Sequence, residues 1–483
     1  MSHPAPPPLF LAVFLLLSVC LAAAGQPRAP QTLQAQTDLS RAIEAVMSRP
    51  AVEHALWGVY VEELSTGRVR YARAADTPLI PASNAKLLST AAVLDAYGPD
   101  FRFETDLVFA GDTLRPGVLS GDLIIRGSGD PTFGSRLGDT DPLRTWANAL
   151  AASGVRELRG RIVGDDDVQE DALHPSSWEV GHVSLQSFAP AQSGLTYRDN
   201  TVQLVVTGGR RSGRAPSLRV EPYSYVAVTN EATVSRRRRA RVRVARESKT
   251  DQLVLSGAVP RRRTRRLTVP VGNPTHYAAQ ALRTYLEAAG VRVRAQAYDV
   301  DELPAPPVYA GSSVLYRHIS PRLADIVQTI NRDSNNLFAE QLYRSAGWAG
   351  STAGGQQRVR RLLERAGATR TPASVRDGSG LSRRNLVSAR TLGNLLGYMD
   401  QHPHGDSFRE SLATPSAGTL RGRLRRVDVR AKTGSLQGVR ALSGYVTASD
   451  GTRYAFAVLA NNYTGRSRYI EQAIDDIVRA VAK

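Results

Sequence analysis

This chain of 483 residues has a single cysteine, Cys20, and only four lysines beside 58 arginines. One thiol excludes a disulfide within the chain and any zinc site built from several cysteines. Histidine is also scarce, and the closest pair, His402 and His404, brackets a proline and precedes a glycine, which suits a loop better than a metal site. No zinc-finger spacing and no interleaving of aromatic with basic residues is present, so nucleic acid is not an expected partner. No tail-anchoring segment follows the last amphipathic stretch, at 469–481.

Cys20 itself lies in the only long apolar run, residues 9–24, which ends in Ala22-Ala23-Ala24-Gly25. That length and those small residues predict a cleavable signal peptide over 1–24, and hence an exported protein. The segment before it carries no Lys or Arg; a retained membrane anchor is the alternative. Leu17-Ser18-Val19-Cys20 departs from a lipoprotein box at Val19. Cleavage after Ala24 leaves a mature chain with no thiol chemistry, long enough for roughly three domains. Its formal charge of +18 favours anionic surfaces, which outside a cell are wall polymers and lipid head groups.

The scarcity of lysine makes the remaining lysines informative. Arginine stays protonated, whereas a buried lysine can lose its proton. Lys86 stands in Pro81-Ala82-Ser83-Asn84-Ala85-Lys86-Leu87-Leu88, a polar start to an apolar run that predicts a buried helix beginning near Ser83. Spacing of three puts the Ser83 hydroxyl and the Lys86 amine on one face, a nucleophile beside a base. As a base, Lys86 must fall from about 10.4 to about 7 or 8, on the order of 4 kcal/mol of differential interaction. Taken alone, the pair is equally a helix cap and a surface lysine.

The rest of the chain divides by texture. A helix is expected over 39–46 and a hairpin over 56–71, feeding the Ser83 helix. From 101 to about 303 short strands and turns predominate. In this insert Gly127 and Gly129 follow a strand but open no helix, so they form no dinucleotide loop. Asp165-Asp166-Asp167 reads as a solvated acidic turn, because no further carboxylates follow at calcium-loop spacing. Arg236 to Arg239 with Arg241 and Arg243, and Arg261 to Arg263 with Arg265 and Arg266, read as charged strand ends; a tether to anionic wall polymer is the sharper reading.

Residues 275–289 form an amphipathic helix, and the prolines at 304–307 suggest a domain crossing. Helical texture then returns. In Asn331-Arg332-Asp333-Ser334-Asn335-Asn336 polar residues crowd a helix start, more than capping requires. Asp377-Gly378-Ser379-Gly380-Leu381-Ser382 is a tight loop before a helix at Ser388. Ala431-Lys432-Thr433-Gly434-Ser435-Leu436 opens three consecutive antiparallel strands.

Three boxes now stand in order: Ser83-x-x-Lys86, Ser334-x-Asn336 and Lys432-Thr433-Gly434. This set is the signature of penicillin-binding proteins and class A β-lactamases. With the Asp377 to Ser382 loop and the roughly 200 residues between the first two boxes, the chain resembles the D-alanyl-D-alanine carboxypeptidase/endopeptidase family, the class C low-molecular-mass penicillin-binding proteins or peptidase family S13.

The resemblance implies an α+β architecture. A β-lactamase/transpeptidase-like catalytic domain, an antiparallel sheet flanked by helices, is expected from 25–100 and 304–483. A sheet-rich insertion of one or two domains occupies 101–303. The resemblance also implies a serine-type hydrolase of peptidoglycan stem peptides that β-lactams acylate, needing no cofactor or metal. Ser83, Lys86 and Ser334 would be catalytic, Ser334 relaying a proton to the leaving amine. Asn336, Lys432, Thr433, Gly434 and Ser435 would bind substrate, with Lys432 also depressing Lys86 and the backbone N–H groups of Ser83 and Ser435 forming the oxyanion hole. A wall-binding protein without activity should have lost a box residue, and none is lost. A β-lactamase is the other enzyme reading, though no separate deacylating Glu is evident.

Overall fold

The computed structural model describes residues 31–483 except 136, 138, 139, 180–184, 247–251 and 371. The signal peptide expected over 1–24, Cys20 included, lies outside the described residues.

Two strands near the C-terminus, Val439–Thr447 and Arg453–Asn461, are buried along nearly their whole length. A strand in that position needs cover on both faces, and successive side chains alternate between them. Phe456, Val458 and Ala460 pack with Ile474 and Ile477 of the closing helix Ser467–Val481 and Met47 of the first helix Gln31–Met47. Ala455, Ala457 and Leu459 face the other way, onto a layer that includes Leu87, Leu88, Leu392 and Leu395. The sheet between these layers has five antiparallel strands in the order Asp428–Leu436, Val439–Thr447, Arg453–Asn461, Leu56–Glu63, Arg68–Arg73. The first hairpin of the chain thus adds to the edge of its last three strands. Sequence-distant boxes are brought into one unit by that pairing.

The intervening chain builds separate sheets over its own core. Glu104–Arg115 and Val118–Arg126 pair antiparallel, and Ile162–Asp165 and Ala297–Asp299 extend that sheet in parallel. Helices Pro142–Ala152 and Pro274–Ala288 share a core with strand residues such as Leu123, Leu204 and Leu255. The sheet runs past residue 303: Ser313–Ile319 pairs with Glu104–Arg115 after the proline-rich stretch. The chain leaves and returns side by side, since the Ser320 N–H donates to the Phe103 carbonyl at 3.0 Å and the Ser320 hydroxyl accepts from the Phe103 N–H at 2.9 Å. Arg236 to Arg239 and Arg261 to Arg263 are exposed turn residues, as their charge requires.

The loop 166–197 leaves the insert and docks on helix Asn336–Ser345. Gln341 donates to the Ser193 carbonyl and to Thr196, both at 2.6 Å, and the fully buried Arg344 donates to the carbonyls of Ala172 at 2.5 Å and Glu170 at 3.3 Å.

Gly444 stands opposite Ala431 in the pair that carries Lys432, and a side chain there would sit 2.2 Å from the Arg430 carbonyl oxygen. Gly444→Ala therefore pushes two buried strands apart. The expected loss is about 1–3 kcal/mol of stability by overpacking, read as a lower denaturation midpoint; an unchanged midpoint would contradict this packing.

Candidate active site

Ser83 lies in a single 3₁₀ turn, Ala82–Asn84, and the α-helix proper starts at Ala85 and runs to Tyr97. All ten residues from Ala85 to Leu94 are buried, so this is an interior helix and Ser83 is its half-buried mouth. Ala82, just before the serine, has φ 47°, a conformation that L-residues other than Gly rarely adopt. The turn is clamped from two sides. The Asn84 side chain donates to the Lys432 carbonyl at 2.9 Å, and a side chain on Gly434 would lie 2.6 Å from the Pro81 carbonyl oxygen. Gly434 therefore lets the strand Asp428–Leu436 lie directly against the serine turn. Gly380 does the same from the opposite loop, where an added Cβ would come within 1.9 Å of the Ala82 oxygen.

Lys86 is wholly buried one turn below. Its Nζ lies 3.2 Å from Ser83 Oγ, 2.6 Å from Asn336 Oδ1 and 2.5 Å from the Ser379 carbonyl oxygen. Asn336 Nδ2 donates to the Phe188 carbonyl at 2.8 Å, which leaves Oδ1 as the acceptor toward Lys86. Burial pulls the Lys86 amine down to about 7, and the nearby carboxylates of Asp377 and Glu340 oppose the fall.

Lys432 is equally buried and donates to Ser334 Oγ at 3.0 Å and to the Thr433 carbonyl at 2.9 Å. Burial, and then repulsion from Lys86, holds its amine well below the ordinary lysine range. Burial is the largest cause at both amines, and the repulsion between Lys86 and Lys432 disfavours a charge on both at once.

The crowded polar stretch before helix Asn336–Ser345 divides its labour. Asn335 is the cap, accepting from the Phe338 N–H at 3.1 Å. Asn331 is buried and donates to Thr90 Oγ1 at 3.1 Å and Ser411 Oγ at 2.8 Å. Ser334 ends the preceding helix, Leu323–Asp333, in a left-handed conformation (φ 63°, ψ 38°), which turns its hydroxyl toward Lys432. Thr433 Oγ1 donates to Thr419 Oγ1 at 2.8 Å, and Ser435, exposed, stands opposite Arg440 in the sheet.

Reading by box missed the groups that hold this arrangement. Glu340 accepts from the N–H groups of Gly378 at 2.9 Å and Ser379 at 2.7 Å. Asp377 accepts from the N–H groups of Gly380 at 2.8 Å and Ser382 at 2.6 Å, from Trp178 Nε1 at 2.8 Å and from Asn385 Nδ2 at 2.6 Å. Both carboxylates are buried, and together they fix the loop that aims the Ser379 carbonyl at Lys86. Burial and the adjacent Asp377 push Glu340 up to about 7. The loop is visible in sequence as a tight turn; Glu340 closes the stretch that begins at Ser334, with no role legible there.

Two cavities flank the site. One of about 280 Å³ lies between Ser334 and Asn336 on one side and Phe188, Asp199 and Thr268 of the insert on the other. A wider one of about 1010 Å³ lies beyond Ser435 and is lined by Leu436, Arg383, Arg440 and Glu179. Among the described residues the carboxylate groupings of metal-binding geometry, Asp166 with Asp299 and Asp301 and Asp167 with Asp171 and Asp301, lie in the insert and not among the boxes.

Comparison with known proteins agrees with the fold. The profile of the D-Ala-D-Ala carboxypeptidase 3 (S13) family matches residues 39–481. A D-alanyl-D-alanine carboxypeptidase from an Actinomadura species is 31% identical over 460 residues, covering 89% of this chain and 82% of that one. The D-alanyl-D-alanine carboxypeptidase DacB of Haemophilus influenzae is 25% identical over 408 residues, covering 80% and 81%. The crystal structure of penicillin binding protein 4 from Haemophilus influenzae superposes with a TM-score of 0.77 at 23% identity, covering 93% of this chain and 99% of that one.

The two buried amines bind fewer protons in the folded chain than in the unfolded one at any pH between their depressed values and about 10.5. Unfolding free energy therefore rises with pH from 7 upward, by at most about 1.4 kcal/mol per pH unit for each amine. Lys86→Met should flatten that rise between about pH 7 and 9 in denaturant titrations. An unaltered slope would mean that Lys86 is protonated in the folded chain throughout.

Proposed function

The chain belongs to the D-Ala-D-Ala carboxypeptidase 3 (S13) family, and on that premise we propose that it is a serine-type D-alanyl-D-alanine carboxypeptidase whose nucleophile is Ser83. The observation that carries this reading is the environment of Lys86. A neutral amine has two N–H bonds and one lone pair; the Asn336 and Ser379 oxygens can only accept, so they take the two hydrogens. The lone pair is left facing the Ser83 hydroxyl, 3.2 Å away. That is the geometry of a general base, at an amine that burial holds at about 7.

The reaction follows from the arrangement. Lys86 takes the Ser83 proton as Oγ attacks the carbonyl joining two D-alanines, and the backbone N–H groups of Ser83 and Ser435 receive the oxyanion. The terminal carboxylate of the substrate meets Lys432 and Thr433. Its negative charge supplies what burial has withheld from Lys432, so the bound substrate restores a proton to that amine. Ser334, hydrogen-bonded to Lys432, passes a proton to the departing amine as the C–N bond breaks, and the proton that Lys86 took from Ser83 replaces it, which leaves Lys86 neutral again. The resulting ester on Ser83 is hydrolysed by water, with Lys86 again as base.

A β-lactam presents a strained amide and a carboxylate in the same relation, and acylates the same oxygen. A cross-linked stem peptide differs from a free one only in what is attached to the leaving amine, and the cavity of about 280 Å³ beside Ser334 gives that side room, which supports D,D-endopeptidase activity as well. Peptidoglycan as substrate carries export with it, to the periplasm or cell-wall space. The basic turns of the insert, exposed and far from the boxes in sequence, suit peripheral contact with anionic wall polymer or membrane surface. No helix among the described residues is long and apolar enough to cross a membrane.

Intact mass after incubation with benzylpenicillin tests the nucleophile. The protein should gain one penicilloyl group and Ser83→Ala none. Lys86→Arg keeps the charge but cannot give up its proton, and should acylate about 10²–10⁴-fold more slowly. An adduct on folded Ser83→Ala would place the nucleophile elsewhere.

A further inference from the structure

The acidic turn that reads as solvated in the sequence does not stand alone in the fold. Strands Ile162–Asp165 and Ala297–Asp299 run parallel as neighbours, with Asp299 level with Gly164. Both therefore end at one sheet edge. The first continues into Asp166 and Asp167, the second into the turn Val300–Glu302 that carries Asp301. Carboxylate oxygens of Asp166, Asp299 and Asp301 lie within 4.8 Å of one another, and so do those of Asp167, Asp171 and Asp301. Asp301 belongs to both groups, so five carboxylates converge. Oxygens around one calcium ion, each about 2.3–2.6 Å from it, are separated by distances of this size.

A second feature is independent of that convergence. Asp166 is only 7% exposed, and its Oδ2 accepts from Ser193 Oγ at 2.8 Å and Thr275 Oγ1 at 2.7 Å. Among the described residues its Oδ1, sealed from solvent, has no hydrogen-bond partner. A buried carboxylate oxygen without a partner is costly, and this one belongs to a side chain whose other neighbours are Asp299 and Asp301. No arginine among the described residues forms an ion pair with any of the five, although the chain carries a formal charge of +18.

We propose that Asp166, Asp167, Asp171, Asp299 and Asp301 bind a divalent cation of the calcium type. The donors are all carboxylate oxygens, without histidine or thiolate, which favours a hard cation, and three are exposed on turns, which suits the loose coordination of calcium more than the strict octahedron of magnesium. The ion joins two strand ends to the root of the loop 166–197. Further along, that loop delivers Trp178 to Asp377 and the Phe188 carbonyl to Asn336. Its role is to hold that loop in register with the site.

Calorimetric titration of the full chain with CaCl2 after chelator treatment, beside melting curves with and without CaCl2, tests the site. One binding event with Kd of about 1 mM or tighter, and a higher Tm with calcium, are expected. Asp301→Asn, at an exposed position common to both groups, should weaken binding at least about tenfold and abolish the calcium-dependent rise. Its calcium-free Tm should equal or exceed that of the unaltered protein, since one repelling charge has gone. No heat and no rise in Tm up to about 10 mM CaCl2 would overturn the proposal, as would a rise that survives undiminished in Asp301→Asn.

Discussion

A buried lysine amine held by two carbonyl oxygens is the constraint on which the rest of this structure depends. Desolvation alone lowers Lys86, but a lowered amine with free rotation would have no direction. Asn336 and the Ser379 carbonyl give it one, by fixing where its hydrogens go. Each of those acceptors is in turn held from elsewhere: Asn336 by the Phe188 carbonyl, Ser379 through the N–H groups that Glu340 and Asp377 receive. An arginine at position 86 could take up none of this, because its guanidinium does not release a proton and presents a planar fork where the site requires a single tetrahedral nitrogen. That is a physical reason for a chain that uses arginine almost everywhere to retain lysine here.

The fold brings such distant segments together through close backbone approach. The serine turn touches the strand Asp428–Leu436 where Gly434 has no side chain, and it touches the loop 377–382 where Gly380 has none. Between those contacts Ala82 and Ser334 adopt left-handed conformations that cost of order 1–3 kcal/mol each and persist because the neighbouring chain determines them. The two lysines then lie near enough to repel each other, and burial disfavours the charged form of both.

What could be read from sequence is what side-chain chemistry alone decides. Ser83, Lys86, Ser334, Asn336 and Lys432 stand out in the sequence by residue type and spacing, and the structure brings them together; the first hairpin, the last three strands and most helices are legible from their apolar period, whereas most strands of the insert are not. Composition puts the start of the Ser83 helix slightly early, because a 3₁₀ turn and the first α-turn share the same composition. Glu340 was illegible for a different reason. It lies mid-helix, four residues after Asn336, and its function is to accept backbone N–H groups, which any loop supplies regardless of residue type. The extent of the insert was likewise obscured, since prolines at 304–307 mark a boundary in composition, whereas the pairing of Ser313–Ile319 with Glu104–Arg115 is fixed by register across some 200 residues.

The insert completes the core of the unit that bears the boxes. Arg344 is fully buried, and its guanidinium donates to the carbonyls of Glu170 and Ala172 in the loop 166–197. Gln341, one turn earlier, donates to Ser193 and Thr196. Both belong to the helix that begins with Asn336. Without the loop, that charge and that amide would face water in place of fixed carbonyls, and the helix would lose the contacts that hold it in this position. The helix that positions Asn336 is therefore stable in this form only when the insert is docked on it. The insert and the unit that bears the boxes are thus joined along the buried face of a single helix.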